Sequence, residues 1–179
     1  MKPSTLICLC LYYAIARHMP KSHSFLGRLT FAGNIRQFLC RRIFLKMGRN
    51  VNIERGAFFG KGTAIEVGDN SGLGVNCHLH PNTVIGSNVM MGPDCYMLDN
   101  TQKYDRTDIP MIEQGLKDSD RRCKVVIEDD VWIGREVMII GNKIIKTGSI
   151  IGARCLLTKN FPPFSIVGGN PSRLIRSRQ

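Results

Sequence analysis

The sequence predicts a mainly β protein: a parallel β-helix with an N-terminal helical arm and one long loop extruded from the coils. Three observations lead there: an apolar residue at every sixth position, small residues at fixed offsets from it, and a charged stretch where the beat stops. Every sixth residue from Met47 gives Ile53, Phe59 and Ile65; after a two-residue offset come Val67, Leu73, Leu79, Ile85, Met91 and Met97. A second array runs Ile127, Ile133, Ile139, Ile145, Ile151 and Leu157. Helices repeat about every 3.6 residues and half-buried strands every two, so neither explains a beat of six. A hexapeptide repeat is the mark of a parallel β-helix, in which each short strand stacks on its counterpart one coil away. A β-sandwich would place turn signals every 8–12 residues or so and fits this regularity poorly.

The elements follow in chain order. Leu6 to Ala16 is an apolar run behind Lys2, too short to span a bilayer as a helix. With Tyr12, Tyr13, Arg17 and His18 it suits a helix ended by Pro20. Asn34 to Lys46 is a second helical stretch, with Arg36, Arg41 and Arg42 between its apolar residues. Residues 1–46 therefore read as a helical arm packed on the main domain at 47–176. Peripheral membrane contact through two basic amphipathic segments is the second reading. A cleaved signal is the third, because Ala14-Ile15-Ala16 mimics a peptidase site.

Within the arrays, the position after the apolar residue is often glycine: Gly48, Gly60, Gly68, Gly74, Gly86, Gly92, Gly134 and Gly152. The expected reason is that glycine adopts dihedrals other residues resist. Four places on stand small or β-branched residues such as Ser71, Cys77, Val89, Cys95, Val131 and Cys155, sized for a turn. Residues 99–126 abandon the beat and hold twelve charged residues among twenty-eight. Insertions of that length are commonly functional or disordered.

Charge divides the 179-residue chain, whose formal net charge is +11. Residues 1–53 carry nine basic residues and no acid, and residues 137–179 seven basic and no acid; the middle carries nine basic against fourteen acidic. Basic ends imply a polyanionic partner: nucleic acid, a lipid surface or a phosphorylated cofactor. Split basic ends without an RNA- or DNA-binding motif argue against nucleic acid. The seven cysteines are scattered without a CxxC pair, which disfavours both a disulfide framework and a cysteine zinc site. Reduced thiols in a cytoplasmic protein are the expectation, with a membrane-peripheral location as the alternative.

The most specific pieces are Val131-Trp132-Ile133-Gly134, Ile150-Ile151-Gly152-Ala153, Thr158-Lys159, Pro162-Pro163 and Gly168-Gly169-Asn170-Pro171. In this order and spacing, behind the hexad arrays, they resemble the hexapeptide-repeat acetyltransferases, which include galactoside, maltose, serine, streptogramin and capsular-polysaccharide enzymes. The resemblance implies a left-handed β-helix, a homotrimer, and acetyl-coenzyme A bound between neighbouring subunits, with no metal. It places Trp132 along the pantetheine, Gly152 and Ala153 at its amides, and Thr158, Lys159, Arg173 and Arg176 towards the nucleotide phosphates. Arginine and lysine are the donors that phosphates require. The implied acceptor is a sugar or glycan precursor, with Asn76, Asp99 and Asp105 as acceptor-side candidates.

The family's loop carries a catalytic histidine, typically after an asparagine. Aligning Lys103 to Pro110 on the capsular-type pattern puts Thr101 at the asparagine position and Gln102 at the histidine position. A glutamine accepts a hydrogen bond but takes up no proton at neutral pH. Loss of a general base typically costs about a hundred- to ten-thousand-fold in rate. His78 and His80 flank inward-pointing Leu79, so both are expected outward on one coil, either as substitute bases or as solvated surface groups. Two functions from different classes stay open: an O-acetyltransferase, and a catalytically impaired relative that binds coenzyme A or a glycan. A zinc hydratase on this fold would need three histidine ligands, and only His78 and His80 are close in sequence.

Overall fold

The computed structural model describes residues 2–98, 102–115 and 124–178. Short strands stack into three sheets. The first holds β1 (Lys46–Met47), β3 (Glu66–Val67), β5 (Thr83–Ile85), β8 (Val125–Ile127) and β11 (Lys143–Ile145). The second holds β2 (Asn52–Ile53), β4 (Gly72–Leu73), β6 (Met90–Met91), β9 (Trp132–Ile133), β12 (Ile150–Ile151), β14 (Ser165–Gly168) and β15 (Arg173–Ser177). The third holds β7 (Tyr96–Leu98), β10 (Met138–Ile140) and β13 (Leu156–Leu157), extended by the parallel bridges Phe58–His78 and His78–Tyr96. All pairings are parallel except the closing β14–β15 pair.

Register converts the hexad into coils. Glu66 pairs with Val84, and Trp132 with Ile150, so three hexads make one turn of the β-helix. Lys46 pairs with Glu66, a slightly longer step that absorbs the two-residue offset in the first coil. Val84 pairs with Val126, a far longer step, because the long loop leaves and rejoins the stack within that turn. Ile53, Leu73, Ile133 and Ile151 therefore lie in one column, as do Val67, Ile85, Ile127 and Ile145 in another. Every hexad residue except partly covered Met47 is buried. Burying one such side chain stabilises by about 1.5–3 kcal/mol, so a charged replacement at Ile133 would open the middle of the stack.

The glycine column has a different cause from the expected one. Of its eight members only Gly60 has a positive φ. The others stand where successive coils touch: a Cβ on Gly68 would lie 2.5 Å from the Gly86 carbonyl carbon, and one on Gly134 would lie 2.6 Å from the Ala153 nitrogen. Left-handed backbone falls instead on the residue before each small one, at Asn50, Asn70, Asn76, Asn88, Asp94 and Asp130. Asparagine and aspartate tolerate that region, and here they also bond from coil to coil. Asn50 Nδ2 donates to Asn70 Oδ1 (3.1 Å), and Asn76 Nδ2 to Asp94 Oδ1 (3.1 Å).

Three α-helices precede the coils: α1 (Pro3–Ala14), α2 (Phe25–Leu29) and α3 (Ala32–Ile43), with a 3-10 turn at Ala16–His18 after α1. They close the open end of the stack. Tyr12 is buried, its hydroxyl donating to the Ala57 carbonyl (2.9 Å), while the Tyr13 hydroxyl donates to Gly60 (2.9 Å) and accepts from the Phe59 N–H (3.2 Å). Arg36 is 0% exposed. Its Nε donates to the Ile53 carbonyl (2.6 Å), Nη1 to Pro20 (3.0 Å) and Met19 (3.3 Å), and Nη2 to Ser22 Oγ (2.9 Å). One guanidinium thus joins α3, the linker before α2 and the first coil.

Candidate functional site

The outward positions of the second sheet form one continuous row. Met90 pairs with Trp132, Trp132 with Ile150, Ile150 with Ile166, and Ile166 with Arg176. Met90 is 61% exposed and Trp132 51%, so the row is an apolar strip facing solvent, with a guanidinium at its end. Neighbouring strands lie about 4.8 Å apart, so Met90 to Arg176 is roughly 19 Å across four steps. A large exposed aromatic in such a strip is uncommon in a surface that serves nothing.

Directly after this row the chain turns the corner between the second and third sheets at Gly134 and Gly152, while Gly168 ends β14 and pairs with Arg173 of β15. Each lacks a side chain, and the Gly134 N–H donates to Ile151 (2.8 Å) and the Gly152 N–H to Val167 (2.7 Å). The corner beside Trp132 therefore carries no side chain at Gly134 or Gly152, and Ala153 next to Gly152 is exposed. Beyond it, Thr158 is fixed by Ser172: its N–H donates to Ser172 Oγ (3.1 Å), and the two hydroxyls are 3.2 Å apart. Ser172 is itself buried and immediately precedes Arg173.

Lys159, Arg173 and Arg176 are all exposed, and among the described residues none is paired with a carboxylate. Nearby cations are engaged differently. Arg154 pairs with Glu136 (2.8 Å), Lys146 with Glu128 (2.9 Å) and Arg178 with Asp130 (2.9 Å). The Lys146 ammonium and the Thr147 N–H hold the Glu128 carboxyl below the usual carboxylate range. The three cations left over stand at one end of the molecule, where an anionic ligand would meet them without competition.

The second cluster lies at the corner between the third and first sheets. His78 is stacked between Phe58 (4.5 Å between centroids) and Tyr96 (4.4 Å), with the Arg17 guanidinium 5.5 Å from the Phe58 ring. His80 departs from expectation. It is 2% exposed rather than outward, and its Nδ1 accepts from the Asn82 N–H (3.0 Å). The reason is local: Leu79 ends the strand-like stretch, so alternation stops there and His80 folds under the corner. Its carbonyl accepts from Thr83 Oγ1 (2.6 Å), and the Asn82 carbonyl in turn accepts from the Val125 N–H (3.1 Å) where the long loop rejoins. Both histidines therefore border the root of the loop.

The described part of the loop, residues 102–115, is held by contacts of its own. The Lys103 N–H donates to the Gly115 carbonyl (2.9 Å). Gln114, in the short helix α4 (Met111–Gln114), accepts from the Arg106 N–H (3.1 Å) and donates to the Arg106 (2.8 Å) and Ile109 (3.1 Å) carbonyls. Arg106 also forms an ion pair with Asp108. Gln102 is exposed at the base of this loop and Asp105 along it; Asp99 and Thr101 lie outside the described residues.

No family model matches the chain. Over 69 residues, 38% of the chain and 33% of the relative, it is 41% identical to a chloramphenicol acetyltransferase of Klebsiella aerogenes. A longer match at 28% identity covers 79% of the chain and 68% of the galactoside O-acetyltransferase of Escherichia coli. The fold overlays with a TM-score of 0.67 on a hexapeptide-repeat acetyltransferase of Vibrio cholerae solved with acetyl-coenzyme A. That match is 24% identical over 98% of this chain and 85% of the other. In sequence the chain is similar to acetyltransferases, and its fold is that of a hexapeptide-repeat acetyltransferase structure. It spans about a third of the length of the chloramphenicol acetyltransferase from Klebsiella.

Set against that family, the residues singled out by sequence fall into two groups. Trp132, Gly152, Ala153, Thr158, Lys159, Arg173 and Arg176 belong to the second sheet, its corner and the C-terminal end. Gln102, Asp105, His78 and His80 belong to the opposite corner. Asn76 stands at the second-to-third-sheet corner of an earlier coil: it is a left-handed turn residue bonded to Asp94, on the rim of a cleft of about 750 Å³ shared with Glu54 and Arg135. Sequence reasoning missed Ser172 and Gln114, the two side chains that position Thr158 and the loop; neither falls on the hexad beat. No described cluster of His, Cys, Asp and Glu is arranged to hold a metal ion.

Proposed function

We propose that this chain transfers the acetyl group of acetyl-coenzyme A to a hydroxyl of a sugar or glycan precursor, working in the cytoplasm as a homotrimer of left-handed β-helices. The observation that supports it most is the row Met90–Trp132–Ile150–Ile166–Arg176 beside a side-chain-free corner. An apolar strip and side-chain-free backbone suit a pantetheine arm, and cations without a carboxylate partner among the described residues suit nucleotide phosphates. The sugar reading draws on the galactoside enzyme named above.

Chemically, the acceptor oxygen attacks the thioester carbonyl, the C–S bond breaks, and the acceptor proton passes to a base and then to the departing sulfur. Gln102 cannot take that proton. His78 is the imidazole whose neighbour Tyr96 leads into the loop, so it is assigned as the base. Buried His80, with Nδ1 already accepting a hydrogen bond, is assigned to support the corner. Within one chain the loop leaves from the corner between the third and first sheets, whereas the strip and the glycines Gly134 and Gly152 lie on the second sheet and the corner after it. A second copy is needed to bring a loop against a strip, which favours the trimer.

The test is thiol release from acetyl-coenzyme A with a panel of sugars, for the unmodified chain beside Gln102→His and His78→Ala. Turnover that falls at least a hundredfold in His78→Ala supports the assignment. Equal turnover in His78→Ala removes His78 as base. Coenzyme A binding without turnover in any variant favours the impaired relative, for which Gln102 is the specific observation.

A further inference from the structure

We propose that the outer face of α1 and α3 docks onto an anionic lipid bilayer, lying in the interface plane without crossing it. The inference does not depend on acetyl transfer. Along α1, Ile7, Leu11 and Ile15 recur every fourth residue and all are exposed, while Cys8, Tyr12 and Ala16 face the coils. Across from them on α3, Ile35 and Phe38 are exposed. Between the helices runs a groove of about 500 Å³ floored by Ala16 and Leu39. Soluble proteins seldom leave five large apolar side chains contiguous on helices that have a buried face to offer.

Charge decides the occupant. Residues 1–53 contain no acid, and of the eight basic residues up to Lys46 six are exposed. Arg36 is consumed by backbone carbonyls and Arg17 is half-buried on Tyr13 and Phe58. Arg42 lies on the face itself, its guanidinium 3.6 Å from the Phe38 ring centroid. Thr5 Oγ1 donates to the Arg42 carbonyl (3.3 Å), so the helices run antiparallel and Lys2 shares that end with Arg42. Two copies meeting through this face would bring like charges together with no carboxylate between them. An anionic headgroup layer supplies the missing charge, and the acyl boundary below takes the isoleucines and phenylalanine. At 12 residues α1 is about 18 Å long, short of the bilayer core, so the helices lie flat.

The experiment is co-sedimentation of the full chain with vesicles of phosphatidylcholine alone or with one-third phosphatidylglycerol. Binding at least tenfold tighter to the anionic vesicles, weakening as salt rises, is expected. The triple variant Leu11→Asp, Ile15→Asp, Phe38→Asp is expected to lose at least tenfold with an unchanged circular dichroism spectrum. A second variant, Lys2→Ser with Arg42→Ser, keeps the apolar face and is expected to lose roughly fivefold for each charge removed. A full chain that stays in the supernatant with both vesicle types overturns the proposal. So does retained binding in both variants, or a triple variant whose solution mass falls to a smaller oligomer, which would make the face an interface between copies.

Discussion

Both ends of this molecule are basic, but the arginines packed against the first coil and the cations of the C-terminal end use their charge in opposite ways. At the N-terminal end Arg36 is sealed inside, its donors committed to the carbonyls of Ile53, Pro20 and Met19, and Arg17 lies against aromatic rings. At the C-terminal end Lys159, Arg173 and Arg176 point to solvent with no carboxylate partner among the described residues. Arg36 and Arg17 are thus structural, whereas Lys159, Arg173 and Arg176 are available to a ligand. Net charge by segment raises the question of a polyanion; only the partners of each side chain answer it.

Substitutions separate the two uses. The largest effect is expected for Arg36→Ala. Removing a buried guanidinium strands several carbonyls and the Glu54 carboxylate (Oε2 3.9 Å away), a loss of about 3–5 kcal/mol in urea unfolding with coenzyme A affinity retained. Arg173→Ala with Arg176→Ala should do the reverse. Stability should move by less than about 0.5 kcal/mol per exposed site. The dissociation constant for coenzyme A should rise roughly tenfold per charge, since a charge-assisted hydrogen bond contributes about 1.5–3 kcal/mol. Equal effects on stability at both ends would break the comparison.

The smallest effect sharpens the N-terminal half. Burial works against the Glu54 carboxylate, but hydrogen bonds from Asn52 Nδ2 and from the backbone N–H groups of Ser22 and Arg55 outweigh it and hold its pKa below the ordinary value. A depressed carboxyl pKa contributes stability that is present above the unfolded value, near about 4.3, and is lost as pH falls through the folded one. Unfolding midpoints measured from pH 7 to pH 3 should therefore drop in acid, and the drop should be shallower in Glu54→Gln. Three buried cysteines, Cys40, Cys77 and Cys95, add nothing to this profile near neutrality. Burial pushes the Cys95 thiol up to about 11 and the Cys40 and Cys77 thiols further, so all three stay protonated.

Much of the stack was legible because a β-helix is one-dimensional: each hexad residue touches its own column, and the column is written in the sequence at a fixed interval. Ile133 and Ile151 needed no long-range information to be placed. The left-handed turn column was equally visible, as Asn70, Asn76, Asn88 and Asp94 each precede a small residue, yet glycine drew attention first. His80 was misplaced because alternation holds along a strand and stops at a corner. Arg36 was illegible for a deeper reason. Nothing local distinguishes it from Arg41 and Arg42, and only the packing of α3 across the first coil buries it. The strip was half legible: Trp132 stood out, but Met90 and Ile166 join its row only through strand register, from far along the chain on either side.

The most direct measurement is a calorimetric titration of coenzyme A into the full chain and into Trp132→Ala with Arg176→Ala. If the second-sheet strip and its terminal cation hold the coenzyme, the unmodified chain binds saturably, one per chain, with affinity that falls as salt rises, and the double variant binds at least tenfold more weakly at unchanged stability. No saturable heat in the unmodified chain, or equal affinity in the two proteins, would contradict that placement.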